Sequence, residues 1–320
     1  MIYKKDKASS ETICQTSFST STPLVNELKK LDFGAKHFFG LPQEQKGSYL
    51  AGLIESDGCI IVPHRTRTDK GQKLYPSIQI CFHLKDEPLA KTILLFLGSG
   101  SIQRNKRTVN NIKKLSESVT LSINSLEGLR NIVTYLNGHM RTSKNNKLYD
   151  LIDWLYAYHP KLFNQKPPKL VIDTSSLVTN AWFSGFAEGD GSFQIRATRG
   201  LKYRRTAISF ELEQSQSTEN VQVIMEKIAR ELTLSNIKAT CQNKKWRVRS
   251  QSLLGHANLI AYFDKYPLYG TKIQDYLDWR TVYQIIKNKQ HLHEEGFAII
   301  ERIKSGMNNK RIPTQNTSDS

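Results

Sequence analysis

The nonapeptide LAGLIESDG occupies residues 50–58, and a looser copy, FSGFAEGDG, occupies residues 183–191. Both follow one pattern: an apolar residue, a small residue, Gly, two apolar or small residues, Glu, a small residue, Asp and Gly. The two copies are separated by a domain-sized stretch, which is too long for the unit of a solenoid. The repeat therefore predicts a chain made of two related halves.

Small residues recur at helical spacing within each copy. Gly52 and Ser56 are one helical turn apart, and so are Gly185 and Gly189. Small side chains at positions i and i+4 let the backbones of two helices approach closely. A Gly inside a helix costs about 1 kcal/mol relative to Ala, so its repeated use needs a structural reason. We expect the two nonapeptides to form helices that pack against each other at the seam between the halves.

Each predicted helix ends in an acid, Asp57 or Asp190, just before a Gly. Close packing of the helices brings these two acids together, and helix C-termini, which are partially negative, do not relieve the repulsion. Carboxylate oxygens are ligands that Mg²⁺ prefers, together with the phosphate oxygens of a substrate. A metal held there can polarise a phosphodiester and activate water. Glu55 and Glu188 are expected to face away from the seam, in capping or structural contacts.

The charge of the chain indicates a polyanionic partner. Lys and Arg number 46 against 29 Asp and Glu, a formal net charge of +17 over 320 residues. Phosphates neutralised by such an excess release their counterions, which drives nucleic-acid binding. No apolar run approaches the roughly 20 residues that span a bilayer, so no membrane partner is expected. The four cysteines are scattered and predict buried or semi-buried free thiols rather than disulfides or a zinc site: Cys14, Cys59, Cys81 and Cys241.

The same order of elements follows each nonapeptide. The apolar alternation of Ile78, Ile80 and Phe82 returns as Ile208, Phe210 and Leu212 at a constant offset of 130, which supports a duplicated α+β unit. The Pro- and Lys-containing residues 157–179 indicate a linker. The predicted division is a polar, partly disordered N-terminal extension, two halves around the linker, and a frayed tail: residues 1–43, 44–156, 157–179, 180–304 and 305–320.

The two nonapeptides resemble the LAGLIDADG signature, and residues 45–290 resemble the single-chain, two-repeat LAGLIDADG homing endonucleases. The first copy departs from the signature only at Glu55 and Ser56. The resemblance implies a pseudo-two-fold duplication of an αββαββα unit, with two antiparallel sheets that form a DNA-binding saddle. It also implies a monomeric, Mg²⁺-dependent DNA endonuclease that makes a double-strand break in a long, non-palindromic site by hydrolysis of phosphodiesters.

The resemblance also assigns roles to residues near the seam. The acid that ends each motif binds the divalent metal in this family, which here means Asp57 and Asp190, and we include the adjoining Gly58 and Gly191 in the predicted metal site. The family places a Lys at the start of the last helix of each half. In the second half this is Lys272. In the first half it is Lys144, with Lys147 as the alternative when the two halves are aligned through their Trp-containing helices.

The polar positions of the strands and loops are predicted to contact double-stranded DNA. On a β-ribbon, Arg suits guanine and Gln suits adenine in the major groove. The predicted contacts are Arg65, Arg67, Gln79, Gln103, Asn105, Arg107, Gln194, Arg196, Thr198, Arg247, Arg249 and Gln251. Glu211 and Glu213 lie among these positions and do not suit a DNA surface.

Two other functions are consistent with a basic, duplicated chain. One is an RNA maturase that binds its host intron and aids splicing, alone or beside endonuclease activity, since some family members have this role. The other is a DNA-binding protein without catalysis, which leaves the paired acids unexplained. The frequent occurrence of the family in organellar introns makes a mitochondrion the expected location.

Overall fold

The computed structural model describes residues 33–109, 114–200, 203–240 and 244–308. Most of the predicted N-terminal extension and most of the predicted tail lie outside the described residues, as do Cys14 and Cys241. Among the described residues, none of the helices combines the length and the apolar character needed to cross a membrane.

The first half contains five helices and four strands within the described residues. In chain order they are α1 (Phe33–Gly40), α2 (Gln43–Asp57), β1 (Gly58–Ile61), β2 (Ser77–His83), α3 (Glu87–Leu97), β3 (Ser101–Val109), β4 (Lys114–Ile123), α4 (Leu126–Leu136) and α5 (Asn145–Tyr158). Strand β1 ends shortly before Pro63, which has no N–H to donate to a sheet.

The second half repeats this order and adds a C-terminal helix. Its elements are α6 (Trp182–Asp190), β5 (Gly191–Arg199), β6 (Arg204–Ser215), α7 (Val221–Ile228), β7 (Lys238–Thr240), β8 (Lys245–Ser250), α8 (Leu253–Lys265), α9 (Lys272–Lys287) and α10 (Glu294–Ser305). A π-helical turn, Ala229–Thr233, follows α7 directly. Helix α10 was not predicted.

Each half has a four-stranded antiparallel sheet with the same strand order, β1-β2-β4-β3 in the first and β5-β6-β8-β7 in the second. The predicted alternation is confirmed: Ile78 and Ile80 are buried on one face of β2, while Cys81 and His83 are exposed on the other. The buried faces pack against the helices. The fold is α+β, and its sheets are duplicated as the sequence predicted.

Helices α2 and α6, the motif helices, form the seam between the halves. A Cβ added at Gly52 would lie 1.9 Å from the carbonyl oxygen of Trp182, and one added at Gly185 would lie 1.9 Å from that of Tyr49. The backbones are therefore in direct contact at both positions, which confirms the predicted close packing.

Helix α1 docks on both halves. Phe38 is fully buried, and its ring packs edge-on against Tyr49 and Phe96 of the first half and Tyr269 of the second. The contact with Tyr269 means that this helix also joins the two halves.

The predicted burial is wrong for both described cysteines, although their thiols are free as predicted. Cys59 and Cys81 are exposed and free. They lie on β1 and β2 at positions whose side chains alternate away from the buried face of the sheet, and Cys81 approaches the hydroxyl of Thr120 at 3.7 Å. The two-residue period of a strand, not the apolar character of the thiol, decides their exposure.

Candidate active site

The two predicted metal-binding acids lie together at the ends of the motif helices. Gly189 packs against Ser56 and Asp57, and a Cβ added at Gly189 would lie 2.9 Å from the carboxyl carbon of Asp57. Asp190 is half-buried and accepts a hydrogen bond from the side-chain amide of Gln214. The close approach of the helices thus places one carboxylate from each half at a common centre.

The carboxylates perturb each other electrostatically. Burial raises the pKa of Asp190 to about 6, and the negative charge of Asp57 contributes to the same shift, while Lys272 and Lys144 oppose it. The Asp57 side chain is exposed, but the surrounding protein removes part of the water around its carboxylate and so raises its pKa. Both lysines again oppose the shift. Two acids with raised pKa values in one place are typical of a functional site.

The two predicted lysines reach the ends of the motif helices. The Lys144 ammonium donates to the carbonyl oxygens of Ile54 at 3.0 Å and Gly58 at 2.8 Å. The Lys272 ammonium donates to those of Ala187 at 2.9 Å and Gly189 at 3.0 Å. The carbonyls of Ile54 and Ala187 also accept the cap N–H groups of Gly58 and Gly191, so each lysine adds a second donor at a helix end, where a cation complements the helix dipole. Each lysine therefore lies at the end of the motif helix of its own half, and both lysines lower the pKa of both acids.

The structure distinguishes Lys144 from Lys147. Lys147 is exposed, and its ammonium pairs with Asp150 at 3.1 Å on the outer surface of α5. Lys144 is half-buried, and burial lowers its pKa, whereas Glu55 and Asp190 raise it. The lysine that faces the paired acids in the first half is thus Lys144.

Glu55 does not face away from the seam as predicted. It is buried, 4% exposed, and accepts hydrogen bonds from the backbone N–H groups of Arg141 at 2.9 Å and Thr142 at 2.5 Å. Across the seam it accepts a 2.6 Å hydrogen bond from the indole N–H of Trp182. The prediction failed because the buried partners of Glu55 come from a loop distant in the sequence and from the other half of the chain. Its expected structural role is correct.

Glu188 differs from its prediction in the same way. Across the seam it accepts a 3.0 Å hydrogen bond from the hydroxyl of Tyr49, and within its own half a 2.9 Å bond from the backbone N–H of Tyr269. Burial raises the pKa of Glu188, while Lys272 lowers it. Both motif glutamates therefore bridge the seam.

Two residues near the acids were missed by sequence reasoning. Gln214, which holds Asp190, ends the apolar alternation of β6, where the sheet register makes the apolar Phe82 its first-half counterpart. Asp86 of the first half accepts hydrogen bonds at 2.7 Å from both the backbone N–H and the hydroxyl of Thr271, just before Lys272. A polar residue that interrupts an apolar strand was the only available signal for Gln214. Asp86 offered none, because its partner lies in the other half.

The donor set suits a divalent cation whose remaining ligands come from substrate and water. In the part of the chain that the structure describes, no group of three or more His, Cys, Asp or Glu side chains could hold a metal ion. Mg²⁺ commonly uses one or two carboxylates, several waters and substrate phosphates, which matches Asp57 and Asp190. If Gly58 bound the metal through its carbonyl oxygen, that oxygen would serve both the metal and Lys144, from which it already accepts a hydrogen bond. The N–H of Gly191 is engaged with Ala187 as the cap of α6.

The first sheet places most of its predicted DNA contacts on one face. Gln79, Gln103 and Asn105 pair across the strands with Ser122, Thr120 and Ser118, whose side chains are not buried. Arg65 and Arg67 extend from the exposed loop after β1, where Arg65 pairs with Asp69 at 2.5 Å and Arg67 donates to the carbonyl of Gly71 at 2.7 Å. Arg107 lies in β3 opposite Ser116, and its side chain is outside the described residues.

The second sheet has a similar polar face. Its predicted contacts on β5 and β8 alternate away from the buried residues, and Gln251 is exposed one residue beyond the end of β8: Gln194, Arg196, Thr198, Arg247, Arg249 and Gln251. Register adds Arg205, opposite Thr198, to this face. Sequence reasoning did not select it.

The two unexplained acids of β6 hold the arginines of β8. Glu213 accepts a 2.5 Å hydrogen bond from Arg247 and pairs with Lys245 at 3.4 Å. Glu211 pairs with Arg249 at 2.7 Å and accepts from Gln194 at 3.0 Å. Directly opposite positions on antiparallel strands favour such pairs. These acids orient the basic side chains of the face.

Comparison with known proteins agrees with the site. A family model described as LAGLIDADG endonuclease matches residues 50–158 and 183–283, one match in each half. A Schizosaccharomyces pombe protein, named as an uncharacterized cox1 intron-2 protein, is 28% identical over 287 residues, 88% of this chain and 80% of that protein. The intron-encoded DNA endonuclease aI3 of Saccharomyces cerevisiae is 29% identical over 282 residues, 78% of this chain and 66% of that protein.

Solved structures show the same fold. I-SmaMI, bound to an uncleaved DNA target in the presence of calcium ions, superposes with a TM-score of 0.64 at 21% identity. The superposition covers 82% of this chain and 98% of that chain. The likeness extends through both halves, so the two sheets form the saddle that the sequence predicted.

Proposed function

Because this chain belongs to the LAGLIDADG endonuclease family, we propose that it is a homing endonuclease that cuts both strands of a long, non-palindromic DNA site with Mg²⁺ as cofactor. One observation carries the proposal: Asp57 and Asp190 lie together at the seam, each beside a lysine, next to two polar sheet faces. Two non-identical halves around one centre suit a target whose half-sites differ.

The carboxylates of Asp57 and Asp190 would hold the Mg²⁺. When bound, the metal would lower the pKa of a water and neutralise charge on the scissile phosphate. Lys144 and Lys272 fix the ends of the motif helices and place positive charge beside the carboxylates. Gln214 holds one oxygen of Asp190 and leaves the other available. The chain's own contribution is thus to orient two acids against a phosphate and to balance their charge.

The polar sheet faces would read the DNA. Charged and amide side chains there suit base edges, and those at the loops suit phosphates. The formal charge of +17 would supply the non-specific attraction. The cox1-intron relative supports a mitochondrial location for this chain as part of the same proposal.

Replacement of either acid by its amide tests the proposal. Asp57→Asn and Asp190→Asn should each reduce cleavage of a duplex, selected by the wild-type protein from a randomised library, by at least about 100-fold. Binding should change little, because an amide keeps the shape of the side chain. Asp150→Asn, on the outer surface of α5, is the matched control and should cleave normally.

Full cleavage by either amide variant would contradict the proposal, and so would wild-type cleavage that persists when Mg²⁺ is removed by a chelator. A splicing assay on a precursor RNA, run in parallel, tests the maturase function. Splicing activity without DNA cleavage would favour that function instead.

A further inference from the structure

Each motif glutamate fastens the lysine-bearing loop of its own half to the motif helix. This loop comprises residues 141–144 in the first half and residues 269–272 in the second. Glu55 accepts three hydrogen bonds from one dipeptide: the N–H of Arg141, the N–H of Thr142 and, at 2.6 Å, the hydroxyl of Thr142. Lys144 follows Thr142 by two residues. The carboxylate and the lysine therefore hold the start of α5 against α2 from two sides.

The second half has the equivalent arrangement. Glu188 accepts from the backbone N–H of Tyr269 at 2.9 Å, three residues before Lys272, and Lys272 returns to the carbonyls at the end of α6. Asp86 adds bonds at 2.7 Å from Thr271, so the loop before α9 is held by one acid from each half.

Hydrogen bonds to an ionised carboxylate are shorter and stronger than neutral ones, and buried donors that lose their acceptor are costly. The glutamate and the aspartate of each motif lie two residues apart on one rigid helix. The position of each lysine relative to the paired aspartates consequently depends on the glutamate that holds the residues just before that lysine. The other half contributes one donor to each glutamate, Trp182 or Tyr49.

We propose that Glu55 and Glu188 are positioning residues, each of which sets the place of the lysine of its own half and thereby controls cleavage of one DNA strand. The inference rests on the proposed endonuclease function. It distinguishes these acids from simple ties across the seam, since a weaker seam would affect both strands alike. A misplaced catalytic group can reduce a rate by about 100-fold.

Strand-resolved kinetics test this inference. The library-selected duplex, with a different label at each 5′ end, is cut under single-turnover conditions by the wild type, Glu55→Gln and Glu188→Gln. Each variant should slow one strand at least about tenfold more than the other, with opposite strands affected and nicked DNA accumulating. Tyr49→Phe removes only the seam-crossing bond to Glu188 and is the control. It should keep the wild-type ratio of the two strand rates.

Thr142→Val gives a milder test of the first half, because it removes the hydroxyl that joins Glu55 to the lysine: this hydroxyl donates to Glu55 and accepts from the backbone N–H of Lys144 at 3.3 Å. It should bias cleavage in the same direction as Glu55→Gln, even if Glu55→Gln folds poorly. A wild-type strand ratio in Glu55→Gln, Glu188→Gln and Thr142→Val would overturn the inference while the endonuclease function stands. A wild-type protein that cuts no duplex would overturn the endonuclease function and the inference with it.

Discussion

At Gly52 and Gly185, a single hydrogen in place of a side chain lets two helix backbones touch. Any Cβ there would lie 1.9 Å from a carbonyl oxygen of the facing helix. Since that oxygen belongs to backbone, no rotamer change can relieve the contact. The helices would have to separate, and the paired acids would separate with them.

Gly52→Ala should therefore destabilise the protein by at least about 3 kcal/mol, the upper range of overpacking, instead of stabilising a helix as Ala ordinarily does. Thermal unfolding followed by circular dichroism measures the effect. Gly40→Ala is the control, because a Cβ at Gly40 meets nothing within 4 Å. Equal melting temperatures for the two variants would contradict the seam as described.

His256 predicts a pH dependence of stability. It is 2% exposed, its ring packs edge-on against Trp279, and burial lowers its pKa below the usual range. As the pH falls below about 6.5, the unfolded chain takes up a proton that the folded His256 resists. The free energy of unfolding should thus decrease as the pH falls through this range. Urea unfolding at several pH values should show a weaker decrease for His256→Gln, and an unchanged one for the exposed His293→Gln.

At the scale of elements, the linker is fastened to the first half by a buried ion pair. The guanidinium of Arg141, whose side chain is 1% exposed, pairs with Asp173 at 2.5 Å and donates to the carbonyl of Ser175 at 2.6 Å. The same Arg141 gives its backbone N–H to Glu55. Arg141 therefore connects the linker and the lysine-bearing loop to the motif helix α2.

Asp173→Asn should reduce the free energy of unfolding by about 3 kcal/mol, because it leaves a buried guanidinium without its counter-charge. Chemical denaturation measures the change. Asp153→Asn is the matched control. Its pairs with Lys166 and Lys169 involve side chains that are 39–48% exposed, so it should lose less than about 1 kcal/mol. A similar loss in both variants would show that the linker pair contributes no more than a surface contact.

At the scale of the molecule, the net charge of +17 does not measure the charge available to DNA. On the second sheet, acids occupy part of the basic face, as with Glu213 beside Arg247 and Lys245. At the edge of the same sheet, Glu294 and Glu301 of α10 pair with Arg199. Some Lys and Arg side chains are thus engaged in ion pairs within the protein, and others are available to contact phosphate.

Glu213→Gln should release Arg247 and Lys245 for phosphate contacts. Each added contact steepens the dependence of log binding constant on log salt concentration by about 0.9. Titrations of labelled duplex at several salt concentrations measure this slope. Glu226→Gln makes the same charge change on the exposed surface of α7 and should leave the slope unchanged. If both variants showed the same slope, Glu213 would not belong to the DNA-binding surface.

Local spacing alone determined the duplicated sheets and the seam. A period of two residues decides which face of β2 is buried, and Gly at one-turn spacing is a property of α2 itself, so both are readable without partners. The tertiary structure decided the rest. Glu55 receives its hydrogen bonds from residues 86 and 127 positions away, and Lys144 was separated from Lys147 only by the carbonyls it reaches. The roles of Gln214 and Asp86 likewise depend on Asp190 and Thr271, partners distant in the sequence that only the fold brings into contact.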